Sequence, residues 1–296
     1  MIPMVSVVVA TYRRDVPLQM ALRSLASQDF IDFEIVLVDD NGDAGWNEKV
    51  ATIVDDFRRA FPQIQLRHIV NSPNQGSAKT RNIGIDAARG TYVAFLDDDD
   101  IYMPQRLSHQ LSQMEQTDSD YSLTDLDLYN EDDTLQSQRQ RKYLESVEPQ
   151  ALLKYHLKYH MTGTDTMMFR RSYLLQIGKF DEIDVGDEYY LMMKAIKGKG
   201  KFCYVPGCEV KAYVHTGDSL SNGAGKIAGE NALYEFKKQH FHLLQKKDIR
   251  YITMRHHAVL AFTYLKQKNY GKTMQEALLG FLASPIGMLQ VLKQRG

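Results

Sequence analysis

Four short apolar runs, Val5–Ala10, Phe33–Val38, Ile64–Val70 and Thr91–Leu96, partition the first hundred residues. Each is rich in β-branched and aromatic side chains and has the length of a strand rather than of a helix. Between them lie amphipathic segments of helical length: one around Val16–Ser27, one around Trp46–Phe61, and Ser77–Arg89, closed by Gly90. Strand and helix in alternation predict βα units on a largely parallel sheet, because parallel neighbours need a crossover connection.

Three of the runs end in polar residues: Thr11, Tyr12 and Arg13 after the first, Asp39, Asp40 and Asn41 after the second, and Asp97–Asp100 after the fourth. Ligands of open α/β sheets bind outside the carboxyl ends of the strands, so these tips predict one site. Four adjacent carboxylates repel one another by roughly a few kcal/mol near a protein surface, so either a cation neutralises them or they form a solvated acidic turn. Hard oxygen ligands suit Mg²⁺ or Mn²⁺, and an imidazole in the shell would favour Mn²⁺.

Composition removes several classes. With 36 basic and 37 acidic side chains and a net charge of -1, no global charge argument for nucleic acid exists. Cys203 and Cys208, the two cysteines, flank Pro206-Gly207 and could face each other across a hairpin; they are too few for a disulfide framework and read as reduced thiols. The first residues, MIPMVSVVVATYRR, lack a basic leader and no apolar run reaches spanning length, so the expectation is a cytoplasmic protein with at most peripheral membrane contact. The turn ATYRRDVP carries no G-x-G-x-x-G, and no G-x-x-x-x-G-K-[ST] occurs, which excludes a dinucleotide fingerprint and a phosphate-binding loop of that type.

Taken together and in order, VSVVVATYRR, IVLVDDNG and NQGSAKTRNIGIDAARGTYVAFLDDDD resemble the nucleotide-binding half of family 2 glycosyltransferases of the GT-A fold. Further along, GKFDE (Gly178–Glu182), GDEYYLMMKA (Gly186–Ala195) and YVHTGDSLS (Tyr213–Ser221) resemble the family's acceptor-side G-x-F-D-E, its E-D-x-x-L-x-x-R helix and its late histidine loop. The likeness covers roughly residues 4 to 221. It implies an α/β GT-A fold, a mostly parallel Rossmann-like sheet flanked by helices, with a C-terminal helical extension. Residues 1–100 would be the nucleotide-binding half, 101–221 the acceptor-binding half and 222–296 the extension. The implied activity is inverting transfer of a sugar from a metal-bound nucleotide-sugar, here a UDP-sugar, to a hydroxyl of a saccharide or lipid-linked acceptor. The implied setting is surface polysaccharide or glycolipid synthesis at the inner face of the plasma membrane.

The resemblance also implies roles. Asp97-x-Asp99 is the D-x-D motif, with Asp99 on the metal, Asp97 on ribose or a metal-bound water, and His215 completing the metal shell. The nucleotide-sugar falls to Thr11, Tyr12, Arg13, Asp39, Arg81, Asp97 and Asp98. An Asp39 carboxylate accepting an imide N–H fits uridine or thymidine better than guanosine. Asp187 and Glu188 match the acid pair that supplies the catalytic base, but the order here is D-E instead of E-D, which leaves the choice between them open. Lys194 and Tyr190 also depart from the family's usual Arg and Asp. Thr162–Arg171 reads as a strand with Asp165 near the acceptor, Asn130–Glu148 as a surface loop, and Met103-Pro104 as a helix opening.

Beyond residue 221, apolar spacing predicts helices through Ala232–Leu244, Ile252–Leu265 and Met274–Leu292. The last is compatible with an interfacial helix or a self-association surface, as well as with packing on its own protein. His240, His242, His256 and His257 read as surface or packing residues. Two other functions compete with this reading. FLDDDDI comes close to the D-x-D-x-[TV] of haloacid-dehalogenase-like phosphatases, although Ile101 breaks the pattern. A non-catalytic nucleotide-sugar binding protein would leave Asp187 and Glu188 dispensable.

Overall fold

Alternate side chains of the first strand face opposite layers of helix, and that alternation builds the core. The computed structural model describes residues 2–183, 186–214 and 224–293. β1 (Val5–Thr11), β2 (Phe33–Asp39), β3 (Gln65–Val70) and β4 (Tyr92–Asp97) form a parallel half-sheet in the order β3-β2-β1-β4. Val5, Val7 and Val9 share one apolar cluster with Leu18, Leu22 and Leu25 of α1 (Val16–Ala26) and Val50 and Val54 of α2 (Ala44–Ala60). On the other face, α3 (Ser77–Ala87) approaches so closely that a Cβ on Gly84 would sit 2.4 Å from Val8 Cγ1. Asp43 caps α2 by accepting from Trp46 N at 3.0 Å.

After β4 the chain makes the two-residue strand β5 (Ile101–Tyr102), so the next helix, α4, runs Arg106–Thr117 instead of opening at Met103-Pro104. β7 (Leu135–Arg139), inside the Asn130–Glu148 stretch expected to be a surface loop, pairs antiparallel with β6 (Tyr121–Asn130); its exposed, mostly polar side chains hide it from a hydrophobic pattern. A 3₁₀ turn at Thr164–Thr166 precedes β8 (Met167–Arg170), so the expected long strand is only four residues. α6 (Arg171–Gln176), α7 (Asp187–Lys197) and β9 (Phe202–Val214) follow. The sheet continues from β4 as β8-β6-β9-β5, antiparallel except for β6 with β9. Cys203 and Cys208 both lie on β9 and are free thiols; Pro206-Gly207 coincides with a register shift in the strand, not with a hairpin.

The described residues fall into two compact units, one of 2–149, 162–183 and 187–214 and another of 150–161, 186 and 224–293. The second unit holds α5 (Pro149–Tyr159), α8 (Ala224–Lys238), α9 (Lys246–Lys266), α10 (Tyr270–Ala283) and α11 (Pro285–Lys293). The helix expected through 274–292 is broken between Ala283 and Pro285, where proline cannot donate to the preceding turn. His240 and His256 are buried, in keeping with packing roles. No described helix is long and apolar enough to cross a membrane.

Candidate active site

Strand register gathers the polar tips. Thr11 pairs with Asp39 and Ala10 with Asp97, so β1, β2 and β4 end on one sheet edge. There Asp98 accepts hydrogen bonds from Thr11 Oγ1 at 2.7 Å and Tyr12 N at 3.1 Å. Burial, with the charge of Asp99 behind it, pushes the Asp98 carboxyl up to about 7. Asp99 pairs with Arg14 Nη2 at 2.9 Å, a contact the sequence reading missed although Arg14 adjoins Arg13 in the same turn. Arg13 itself lies at φ 51°, donates its N–H to Asn41 Oδ1 at 2.7 Å and carries its guanidinium 5.3 Å from the half-exposed Tyr12 ring.

Arg81 bridges two segments far apart in sequence. Its Nη2 donates to Asp97 Oδ1 at 2.7 Å and its Nη1 to Asp187 Oδ2 at 2.8 Å. The second contact joins the edge of β4 to the first residue of α7. Glu188 follows directly, its N–H donating to Asp187 Oδ1 at 3.0 Å. Burial pushes the Asp187 carboxyl up to about 7, with Arg81 opposing the rise.

A second set of carboxylates lies behind the first. Asp97 N donates to Asp165 Oδ1 at 2.6 Å, and Tyr213 N donates to Asp100 Oδ1 at 2.9 Å. Asp97, Asp100 and Asp165 each offer an oxygen within 4.8 Å of the others, the one such acidic trio found among the described residues. Burial first and neighbouring carboxylates second raise Asp100 and Asp165, the latter to about 7. Arg106, fully buried, steadies the Asp165 turn: its Nη2 donates to the Asp165 carbonyl at 2.8 Å and its guanidinium lies 4.7 Å from the Tyr102 ring centre.

Asp39 is fully buried and accepts from Asn41 N at 3.0 Å and Asn41 Nδ2 at 2.7 Å. Asp40 next to it accepts from Asn71 Nδ2, Gln75 N and Gly76 N at 2.8, 2.8 and 2.9 Å, which fixes the turn leading into α3. His215 lies outside the described residues. The geometry thus brings Thr11, Tyr12, Arg13, Asp39, Arg81, Asp97, Asp98, Asp99, Asp187 and Glu188 into one connected set, and adds Arg14, Asp100 and Asp165. Carboxyls raised by burial and mutual repulsion, with Arg14 and Arg81 as the nearby cations, form a donor set that fits a hard divalent ion.

A half-parallel sheet whose strand ends carry these carboxylates is the architecture of GT-A glycosyltransferases, and the chain is a glycosyltransferase. It belongs to glycosyl transferase family 2, whose family model matches residues 6–178. An uncharacterized glycosyltransferase of Methanocaldococcus jannaschii is 30% identical over 201 residues, covering 68% of this chain and 67% of the relative. A Campylobacter jejuni protein, GalNAc(5)-diNAcBac-PP-undecaprenol beta-1,3-glucosyltransferase, is 27% identical over 295 residues, covering 96% of this chain and 90% of its own. Among solved structures, S. aureus TarS 1-349 in complex with UDP-GlcNAc superposes with a TM-score of 0.62 at 20% identity, over 92% of this chain and 88% of that one. The chain spans 53% of a longer TarS structure. Mannosyltransferase PcManGT from Pyrobaculum calidifontis, in complex with GDP-Man and Mn²⁺, gives 0.59 at 15% identity, over 97% and 87%.

Proposed function

We propose that this protein transfers a sugar from a UDP-sugar to a hydroxyl of a lipid-diphosphate-linked saccharide, with inversion at the anomeric carbon. The Arg81 bridge carries the reading, because it ties a strand-end aspartate, Asp97, to Asp187 at the start of α7. Donor-side carboxylates and base candidates therefore share one constellation. Thr11, Tyr12, Arg13 and Asp39 take the nucleoside, and Asp98 holds the β1 tip in place. Asp97 and Asp99 would hold Mn²⁺ or Mg²⁺, with His215 assigned to the shell from the resemblance alone, and Asp100 and Asp165 lie beside Asp97; when bound, the ion would supply charge stabilisation for the departing diphosphate. Asp187 is committed to Arg81, so Glu188 serves as the base. The acceptor oxygen gives its proton to Glu188 and forms the new bond to the anomeric carbon. The bond from that carbon to the diphosphate oxygen breaks, its electron pair leaving with UDP.

The acceptor class is inferred from the Campylobacter relative, whose name gives a saccharide on undecaprenyl diphosphate as its substrate. Met274, Leu278 and Leu282, spaced on one side of α10, and Ile286 on α11 are 74%, 58%, 69% and 73% exposed, and we assign peripheral membrane contact to them.

Thermal unfolding with UDP, GDP or dTDP, each with and without Mn²⁺, tests the donor. Ligand at about a hundred times its dissociation constant adds roughly 2.7 kcal/mol, so UDP with Mn²⁺ should raise the Tm of wild type and fail to raise that of Asp99→Ala. If no nucleotide shifts wild type with metal present, the donor reading falls and turnover of a simple phosphate ester is measured next. Donor binding with no sugar transfer, unchanged in Glu188→Gln, would identify a binding protein instead.

A further inference from the structure

Arg81 and its neighbour Asn82 both leave α3 for distant segments. Arg81 takes Asp187, 106 residues on, and Asn82 takes Phe180, 98 residues on. The second contact is a two-point clamp. Asn82 Nδ2 donates to the Phe180 carbonyl at 2.9 Å, and Phe180 N donates to Asn82 Oδ1 at 3.0 Å. One carboxamide thus satisfies both main-chain groups of one residue, which fixes its orientation as well as its distance. The Phe180 ring is buried; it meets Phe95 of β4 edge-on at 5.2 Å and lies 5.7 Å from the Arg81 guanidinium.

From that anchored phenylalanine the chain reaches the far end of α7. Asp181, the next residue, accepts from Lys194 Nζ at 2.7 Å, and the Gly178 carbonyl accepts from the same ammonium at 3.4 Å. Lys194 stands in the last turn of α7 and Asp187 in its first. The helix is therefore tied at both ends, by Arg81 directly and by Asn82 through Phe180 and Asp181, and both ties return to α3. A helix held at one end can pivot; held at both it cannot. The Lys194 and Asp181 side chains are 25% and 46% exposed, so their pair contributes little to stability, and its consequence is orientation. Lysine in place of the family's usual arginine keeps this tie, because a single carboxylate needs only one donor.

We propose, on the reading of Glu188 as the base, that Asn82 is its positioning residue: the clamp on Phe180 lets Asp181 hold Lys194, and α7 then presents Glu188 to the acceptor in one orientation. A base displaced by about 1 Å can lose about a hundredfold in rate, so orientation of this helix bears directly on transfer.

The full chain is tested in two ways. Hydrogen exchange read by mass spectrometry compares wild type with Asn82→Ala, Lys194→Ala and Lys194→Arg. Amides of α7 should exchange several-fold faster in the two alanine variants and those of β1 and β4 at the wild-type rate, with Lys194→Arg matching wild type throughout. Release of UDP from UDP-glucose and from UDP-N-acetylglucosamine is then followed with Mn²⁺ present and water as the acceptor, and UDP affinity is measured calorimetrically. Each alanine variant should lower kcat by about tenfold with UDP affinity within about twofold of wild type, and the double variant should be no slower than the slower single, because both act through one loop. Unchanged α7 exchange in Asn82→Ala overturns the clamp whatever the kinetics show. Losses that multiply in the double variant, or UDP affinity that falls along with kcat, overturn the positioning role. A wild type that releases no UDP while α7 responds to the variants places the failure in the base reading, and the positioning role falls with it.

Discussion

Arg81 holds two carboxylates with one guanidinium fork, and its side chain is only 11% exposed. Arg81→Ala strands Asp97 and the buried Asp187, and breaking such a buried pair costs about 3 kcal/mol in urea unfolding. Arg81→Lys keeps the charge but loses the second arm, so about 1–2 kcal/mol is expected, with a larger loss in transfer rate than in donor affinity. Asp187 gives a pH signature. Its folded carboxyl, at about 7, holds a proton to higher pH than the unfolded chain does, so its contribution is present below about pH 4 and is lost as pH rises through about 7. Stability should therefore fall less between about pH 5 and 8 in Asp187→Asn than in wild type. An equal slope in the two proteins would mean that Arg81 keeps Asp187 ionised throughout. At this scale the sequence named Thr11, Asp39, Asp97 and Asp165 from their positions at run ends or in motifs. It did not reveal that Asp100 and Asp165 meet, because the 64 residues of intervening chain must fold before their oxygens approach.

Between elements, the closest fit is α3 on β1. Alanine at position 84 gains about 1 kcal/mol of helix propensity but drives a Cβ to 2.4 Å from Val8 Cγ1 and about 3.4 Å from Val38 Cγ2. Overpacking of about 1–3 kcal/mol outweighs that gain, so Gly84→Ala should lower the urea midpoint. Gly271 in α10 has nothing within 4 Å of a built Cβ, and Gly271→Ala should raise stability by up to about 1 kcal/mol. A stabilised Gly84→Ala would mean that α3 can slide on the sheet. Within the half-sheet, β1, β2 and β4 were legible because they are buried on both faces and read as nearly unbroken apolar runs, whereas the edge strand β3 has only Leu66 buried. β7 was not, since all five of its residues are exposed, and its place follows only from pairing with β6.

For the whole molecule, the exposed apolar side chains of α10 and α11 are the feature that bears on membrane contact. Sedimentation of the full chain with phosphatidylcholine vesicles should capture a fraction that falls several-fold in the Leu282→Glu, Ile286→Glu pair, each exchange placing a charge on an exposed apolar position. Vesicle binding unchanged by the pair would remove these helices from the contact, and a lower solution mass of the variant than of wild type would assign the face to self-association.

The sequence by itself determined the alternation of strand and helix, the gathering of polar strand tips at one sheet edge, and the family. Those depend on local periodicity and on motifs a few residues long. Tertiary structure alone decided which carboxylates meet, that Arg81 spans Asp97 and Asp187, and that Arg14 covers Asp99. Each of these is a contact between segments whose separation is set by the packing of whole elements, and no local pattern encodes that distance.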